Sequence, residues 1–254
     1  MTPPPSGLAA YPSLAANPVL SAWLAFSPGG TVTIRPGKVE YGQGVWTALA
    51  QVAAEELDVA LARVSVAPVS TDTSPDEGVT SGSLSIQHSG SALRQACAQA
   101  RALLLEAAAA KLGTATAELA VEDGQILAAG QPTGLSYWSL ATPGLLDREA
   151  GDPVPVKPAE RWSVAGRSAP RLDLPDKVTG RSRFLHDLVL PGMLYGRRPG
   201  HDLLREGGVR PGGVDRAGPD RGGGTRRGAG PGPGPGRPRG RHAARTRPGC
   251  GSTP

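Results

Sequence analysis

Six hydroxyl side chains crowd into twelve residues of the stretch SPDEGVTSGSLSIQHSGSALRQA (74–96): Thr80, Ser81, Ser83, Ser85, Ser89 and Ser91. Gly78, Gly82 and Gly90 are set among them, and a long helical pattern follows directly. Hydroxyls and free backbone N–H groups at a helix mouth can hold a phosphate without any cation. About forty residues earlier, YGQGVW (41–46) repeats the arrangement, with Gly42 and Gly44 around Gln43 ahead of another helical pattern. Glycines let a backbone approach a ligand closely, and the helix N-terminus offers N–H groups and partial positive charge. The Gln amide both donates and accepts, as a pterin or nucleobase edge demands. Taken singly, each stretch also reads as a plain turn, the second with Ser89 as a helix N-cap. Two such mouths in one small domain point to a single elongated anionic ligand, which requires both loops to face one groove.

Other candidate chemistry is thin. Asp76 and Glu77 have no histidine or partner carboxylate nearby in sequence and read as loop acids. His88, His186, His201 and His242 show no ligand spacing, and no Ser/His/Asp constellation or Walker motif can be assembled. Cys97 falls inside a helical pattern as a small hydrophobe and Cys250 near the C-terminus, too few for a disulfide framework, a zinc site or an iron–sulfur cluster. The body has ligand-binding parts and no evident catalytic group.

The elements that must position these loops are short. SAWLAFSPGGTVTIRPG (21–37) reads as a hairpin turning at Pro28-Gly29-Gly30, with strands 22–27 and 31–35. A helix is predicted over 47–57, buried through Trp46, Leu49, Ala53 and Leu57, with Glu55 and Glu56 pointing away. RVSVAPV (63–69) alternates like a strand. The helix 91–112 buries Leu93, Cys97, Ala100, Leu104 and Ala107, stops at Gly113, and at ~1.5 Å per residue is roughly 33 Å long. LAVEDGQILAAG (119–130) is a second hairpin turning at Asp123-Gly124, and SYWSLA (136–141) a short helix capped by Ser136. RWSVAG (161–166) and SRFLHDLVLPGMLYGR (182–197) read as strands around a loop, PRLDLPDKVTG (170–180). The order β-β-α-β-α-β-β predicts an α+β fold.

Charge divides the chain unevenly. Residues 198–254 hold 12 Arg, no Lys, no aromatic residue, four acids, 17 Gly and nine Pro, a formal charge of +8 against −3 for the rest. So few apolar groups cannot offset the entropy of ordering the backbone, which predicts a disordered basic tail. No run of eighteen apolar residues occurs, which predicts no membrane span. The N-terminus has no basic n-region and is broken by prolines, so it does not read as a signal peptide and the expected location is the cytoplasm.

GKVEYGQGVWTALAQVAAEELDV (37–59), STDTSPDEGVTSGSLSIQHSGSALRQA (70–96), VEDG (121–124) and PRLDLPDKVTG…FLHDLVLPGMLYGR together resemble the molybdopterin-binding large subunits of the xanthine dehydrogenase/aldehyde oxidase family. The likeness runs from about residue 17 to 197. It leans to the branch that holds the β subunit of isoquinoline 1-oxidoreductase and the B subunit of nicotinate dehydrogenase. It implies a molybdenum–molybdopterin cofactor, usually the cytosine dinucleotide form in bacteria. With that cofactor, relatives hydroxylate an N-heterocycle or aldehyde using oxygen from water and pass electrons to a separate iron–sulfur subunit. The cofactor's own dithiolene supplies the metal ligands. By position, Gly42, Gln43 and Gly44 match the segment that contacts the pterin, and Gly82, Ser83 and Ser85 match the second loop's contacts.

On that resemblance the expected organisation is an N-terminal extension (1–20), a partial molybdopterin-binding domain (21–146), a linker (147–160) and the start of a hammerhead-like domain (161–197). The family's catalytic glutamate belongs to a Gly-x-Gly-Glu segment that these 254 residues do not contain, so the chain is expected to be a truncated fragment without turnover. The Arg/Gly/Pro composition after residue 197 is what a GC-rich gene read out of frame produces. The other reading is a binding protein whose basic tail neutralises nucleic-acid phosphates, although the stacking aromatics usual there are missing.

Overall fold

A computed structural model describes residues 7–181 and 187–194. The chain divides into two compact units, Met1–Asp187 and Leu188–Pro254. In the second unit the described residues 188–194 form no strand; Met193 N–H closes a turn onto the Leu190 carbonyl at 3.0 Å. The expected strand over 182–197 therefore fails where it can be followed, and its remainder, like the whole basic tail, lies outside the described residues.

The first unit is α+β. Strands β1 (Leu24–Ser27) and β2 (Thr31–Ile34) form the expected antiparallel hairpin. The chain then crosses through the helix Val45–Leu57 to β3 (Val64–Val66), which pairs parallel with β2. A second, antiparallel sheet holds β4 (Leu119–Glu122), β5 (Gln125–Ala128) and β6 (Gln131–Ser136) in sequential order. Asp123 and Gly124 both have positive φ, 46° and 74°, as the Asp-Gly turn between β4 and β5 requires. Strand β6 is an addition to the expected elements. Its Pro132 and Gly134 argue against a central strand, but β6 lies at the sheet edge beside a register shift, where both are tolerated.

Helix α1 (Pro12–Ala16) buries Leu14 against the helix Ser91–Leu112. With α1 counted first, Val45–Leu57 is α2 and Ser91–Leu112 is α3, and these two pack against each other. The packed faces are rich in small residues: Ala50, Ala53 and Ala54 on α2, Ala92, Ala96, Cys97 and Ala100 on α3, all fully buried. Burial of this stripe, not intrinsic propensity, holds helices of this length in place. Helix α3 ends at Gly113 in the left-handed region (φ 67°). Helix α4 (Tyr137–Leu140) starts in a reciprocal Ser136/Ser139 capping box, so the expected cap at Ser136 is observed.

Three expectations need correction. Glu55 and Glu56 do not point to solvent; both are buried. The chain from Lys157 to Ala165 lies over that face of α2. Glu55 Oε2 accepts the N–H groups of Ser163, Val164 and Ala165 at 2.9, 2.6 and 2.8 Å, and Oε1 pairs with Lys157 Nζ at 2.9 Å. Glu56 takes Lys157 N–H at 2.8 Å and Arg94 Nε at 3.1 Å. Residues 161–166 consequently form no strand, because the N–H groups of Ser163, Val164 and Ala165 are spent on a carboxylate and those of Arg161 and Trp162 close a turn onto Pro158 and Ala159. Within the expected loop 170–180 stands a helix, α5 (Leu174–Thr179), with Pro175 in its first turn and Gly180 as its left-handed stop.

Candidate functional site

The two glycine loops sit side by side. At Gly37 they come close: a Cβ there would lie 2.2 Å from the Pro75 carbonyl oxygen, so only glycine fits. Asn17 ties the second loop to the N-terminal segment, and Gly37, Lys38 and Val39 fasten the two loops in register. The Asn17 amide bonds both polar groups of the Asp76 backbone at 2.9 Å each. Gly37 N–H donates to Glu77 Oε2 at 2.7 Å. Lys38, nearly fully buried, donates Nζ to the carbonyls of Glu77 and Val79 at 2.6 and 3.0 Å. Val39 N–H donates to Thr80 Oγ1 at 2.9 Å.

Between the loops opens a cleft of about 600 Å³, within the range usual for small-molecule sites. Tyr41, Gln43, Gly44, Val45 and Ala48 form one wall. Thr80, Ser81, Gly82, Ser83, Ser85 and Ile86 form the other. The structure thus brings Gln43, Gly44, Gly82, Ser83 and Ser85 to one surface. Gly42 is not on it: this residue lies behind the wall, its N–H on Glu40 and its carbonyl on Arg171.

The backbone around the cleft is unusual. Gly42 (φ 123°), Gly44 (82°), Gly82 (67°) and Ser83 (59°) all occupy positive φ. For a non-glycine such as Ser83 this costs about 1–3 kcal/mol, and such strain clusters at ligand sites. Ser85 opens a π-helical turn (Ser85–Gly90) that runs directly into α3. Ser89, expected as an N-cap, is instead fully buried in that turn and donates Oγ to Glu77 Oε2 at 2.8 Å. The turn extends the helix toward the cleft, so the hydroxyl no longer sits at a helix end. Glu77, read from sequence as an idle loop acid, is the post that joins Gly37 and Ser89.

Glu40 changes how the mouth of α2 works. Its Oε1 accepts the N–H groups of Gly42 and Gly44 at 2.8 and 2.9 Å, and Oε2 that of Trp46 at 3.2 Å. Burial pushes the Glu40 carboxyl up, but the N–H groups of Gly44, Gly42 and Trp46 outweigh it and hold it below its ordinary value. Three of the N–H groups at this helix mouth, those of Gly42, Gly44 and Trp46, are therefore taken by the chain's own carboxylate. The polarity of the cleft comes from the hydroxyls of Tyr41, Thr80, Ser81, Ser83 and Ser85 and the Gln43 amide, and its lining carries no charged side chain. Gln43 Oε1 accepts Tyr41 N–H and its Nε2 donates to the Val39 carbonyl, both at 2.9 Å. One amide hydrogen and one lone pair remain for a partner. Lys38, Glu40 and Glu77 escape a reading of the sequence because their roles depend on loop contacts about forty residues apart or on helix-cap geometry. Gly37 and Lys38 stand within the family-like motif, but nothing local marks them.

Residues 5–169 match the family model described as the molybdopterin cofactor-binding domain. The chain belongs to that family. Its likeness is to part of the molybdopterin-binding subunits of the xanthine dehydrogenase/aldehyde oxidase type. The B subunit of nicotinate dehydrogenase from Pseudomonas putida is 40% identical over 188 residues, 72% of this chain and 16% of that protein. The beta subunit of isoquinoline 1-oxidoreductase from Brevundimonas diminuta is 29% identical, over 72% of this chain and 28% of the relative. The chain thus spans less than a third of the length of these curated relatives. Among solved structures, CO dehydrogenase from Oligotropha carboxidovorans aligns with a TM-score of 0.42 at 26% identity, covering 52% of this chain and 17% of that one. Among the described residues of this molybdopterin-binding chain, no group of three His, Cys, Asp or Glu is placed to hold a metal ion, and no helix is long and apolar enough to cross a membrane.

Proposed function

We propose that the cleft receives the pterin and phosphate portion of a molybdenum–molybdopterin cofactor, in its cytosine dinucleotide form, and that the chain is one part of a molybdenum hydroxylase large subunit. The observation that carries this is the clasp itself: two loops some forty residues apart, joined into one hydroxyl-lined cleft, in a chain that matches the cofactor-binding family. Gln43 offers an amide edge to the ring system, and Gly44 keeps the wall low enough for the ring to approach. Gly42 belongs to this set by shaping the loop from behind. Ser83 and Ser85 donate hydroxyls to phosphate oxygens, with Gly82 and Ser83 in the left-handed turn that presents them. With a neutral lining, the phosphate is solvated by hydroxyl hydrogen bonds instead of a buried cation.

When bound, the cofactor supplies the redox chemistry that hydroxylates an N-heterocycle or an aldehyde with oxygen from water. The chain's own residues bind, orient and exclude water. The lining holds no carboxylate, imidazole or thiol, so proton transfer to or from substrate belongs to groups outside this cleft. On this reading the residues of this chain hold the cofactor, and in the whole large subunit electrons pass from it to a separate iron–sulfur subunit.

The test is retention. The full chain, made in a host that produces the cofactor, is assayed for molybdenum by mass spectrometry and for cytidine monophosphate released by acid. The wild-type chain is expected to carry both. Ser83→Ala and Ser85→Ala are each expected to weaken retention about 10-fold or more, as loss of one hydrogen bond to a charged group does, with melting temperature unchanged. Equal molybdenum content in wild type and the double variant would overturn the reading.

A further inference from the structure

We infer that Arg171 is a positioning residue for the Gly42–Gly44 loop, gripping from behind the wall that faces the cleft. The inference rests on the cofactor reading for the loop's purpose and on geometry alone for the grip. Arg171 stands 129 residues from Gly42, yet its Nη1 donates to the Gly42 carbonyl at 2.8 Å. Its Nη2 lies 3.5 Å from Glu40 Oε1, the same oxygen that accepts the Gly42 and Gly44 N–H groups. The Gly42 residue is therefore held at both ends, N–H by Glu40 and carbonyl by Arg171. It is held in a conformation (φ 123°) that relaxed backbone leaves readily. Gly44 completes the contact: a Cβ added there would meet the Arg171 guanidinium at 4.0 Å, so the guanidinium lies against the underside of the loop.

The guanidinium is itself aimed. Asp173, almost fully buried, takes Arg171 Nε at 2.9 Å and Nη2 at 2.7 Å as a two-toothed fork and also accepts from Lys177 in α5. Leu172 N–H donates to Thr47 Oγ1 at 3.0 Å, which pins the same segment to the first turn of α2. Only a rigid planar fork can satisfy Asp173 on one edge and reach the Gly42 carbonyl with another N–H; an ammonium is a point charge and cannot do both. Side-chain exposure of Arg171 is 37%, whereas Asp173 is 3% exposed and keeps Lys177 as a partner when the arginine is removed. The segment that follows the Glu55 clasp thus sets the shape of one cofactor wall from outside it.

Hydrogen–deuterium exchange on the full chain reads this directly. Arg171→Ala is expected to speed exchange at Gly42, Gly44 and Trp46 about tenfold or more, from loss of charge-assisted bonds. The amides of Ser163–Ala165 and the middle of α3 should stay at wild-type rates. Arg171→Lys should restore part of the protection. A residue that merely held the segment 157–181 in place would free Ser163–Ala165 to the same degree, and that result overturns the inference. So does unchanged exchange at Gly42 and Gly44. Should Arg171→Ala not fold, Arg171→Lys alone decides: intermediate protection confined to the loop supports the grip, and an unfolded lysine variant refutes it. No cofactor enters this measurement, so the retention test can fail while the grip stands, and the reverse.

Discussion

Replacing Glu55 by alanine tests the clasp between α2 and the chain that returns over it. Glu55 Oε2 accepts three backbone N–H groups, from Ser163, Val164 and Ala165, and Oε1 holds Lys157, whose side chain is 8% exposed. Truncation takes the charged acceptor from three backbone donors, on exposed Ser163 and half-buried Val164 and Ala165, and leaves the nearly buried Lys157 with Asp58 alone. Breaking a buried pair in this way costs about 3–5 kcal/mol, whereas a net figure for one ordinary hydrogen bond is ~1 kcal/mol. With a urea slope of ~2 kcal/mol per molar, the midpoint should fall by about 1.5–2.5 M. Glu55→Gln keeps the shape and one acceptor, but its amide hydrogens meet donors, so it should lose about half as much. Fluorescence-monitored urea unfolding of the full chain measures both. A loss below ~1 kcal/mol for the alanine variant would refute the reasoning, since it would mean the N–H groups of 163–165 find water as easily as they find Glu55.

Gly124→Ala should destabilise by about 2–4 kcal/mol, because its Cβ would lie 2.5 Å from Trp138 Cη2 at φ 74°. Gly130→Ala, at φ 76° with nothing within 4 Å, should cost only ~1 kcal/mol; equal losses in thermal melts would discard the Trp138 contact as the cause. Acid should unfold the chain through four carboxylates held below their ordinary values, among them Asp123, where burial is outweighed by the Ala60 N–H and Arg63. For Asp173 the Arg171 hydrogen bond acts against burial with help from Lys177. For Glu40 and Glu55, burial is outweighed by backbone N–H groups, joined at Glu55 by Lys157. A carboxyl whose folded pKa lies below its unfolded value of ~4 contributes fully above that value and loses its contribution as pH falls through the folded pKa. Melting temperature should therefore hold steady from about pH 7 to about 5.5 and drop steeply below ~4; a value still unchanged at about pH 3 would contradict the shifts.

Much that depends on neighbours in sequence is legible without any coordinates. The Pro28-Gly29-Gly30 and Asp123-Gly124 turns, the Ser136 cap, the stop at Gly113 and the buried stripe through Leu93, Cys97, Ala100 and Leu104 each follow from local chemistry or from 3.6-residue periodicity. Composition likewise marks Gly42–Gly44 and Thr80–Ser91 as loops with something to hold, and both line or shape one cleft. The charged residues behave otherwise. Glu55 and Glu56 read as solvent-facing because periodicity places them opposite the core stripe, and only the return of residues 157–165 supplies the N–H groups that let them be buried. Nothing next to Glu40 in the sequence marks it, and its role appears only when the fold turns three N–H groups toward it. Lys38, Glu77 and Arg171 act on partners 39 to 129 residues away. A hydrophobic pattern repeats along the chain and can be read from it, whereas the cost of burying a charge is met by whichever distant group arrives. That is why the loops of this site are visible in the sequence, and what holds them in shape is decided only by tertiary structure.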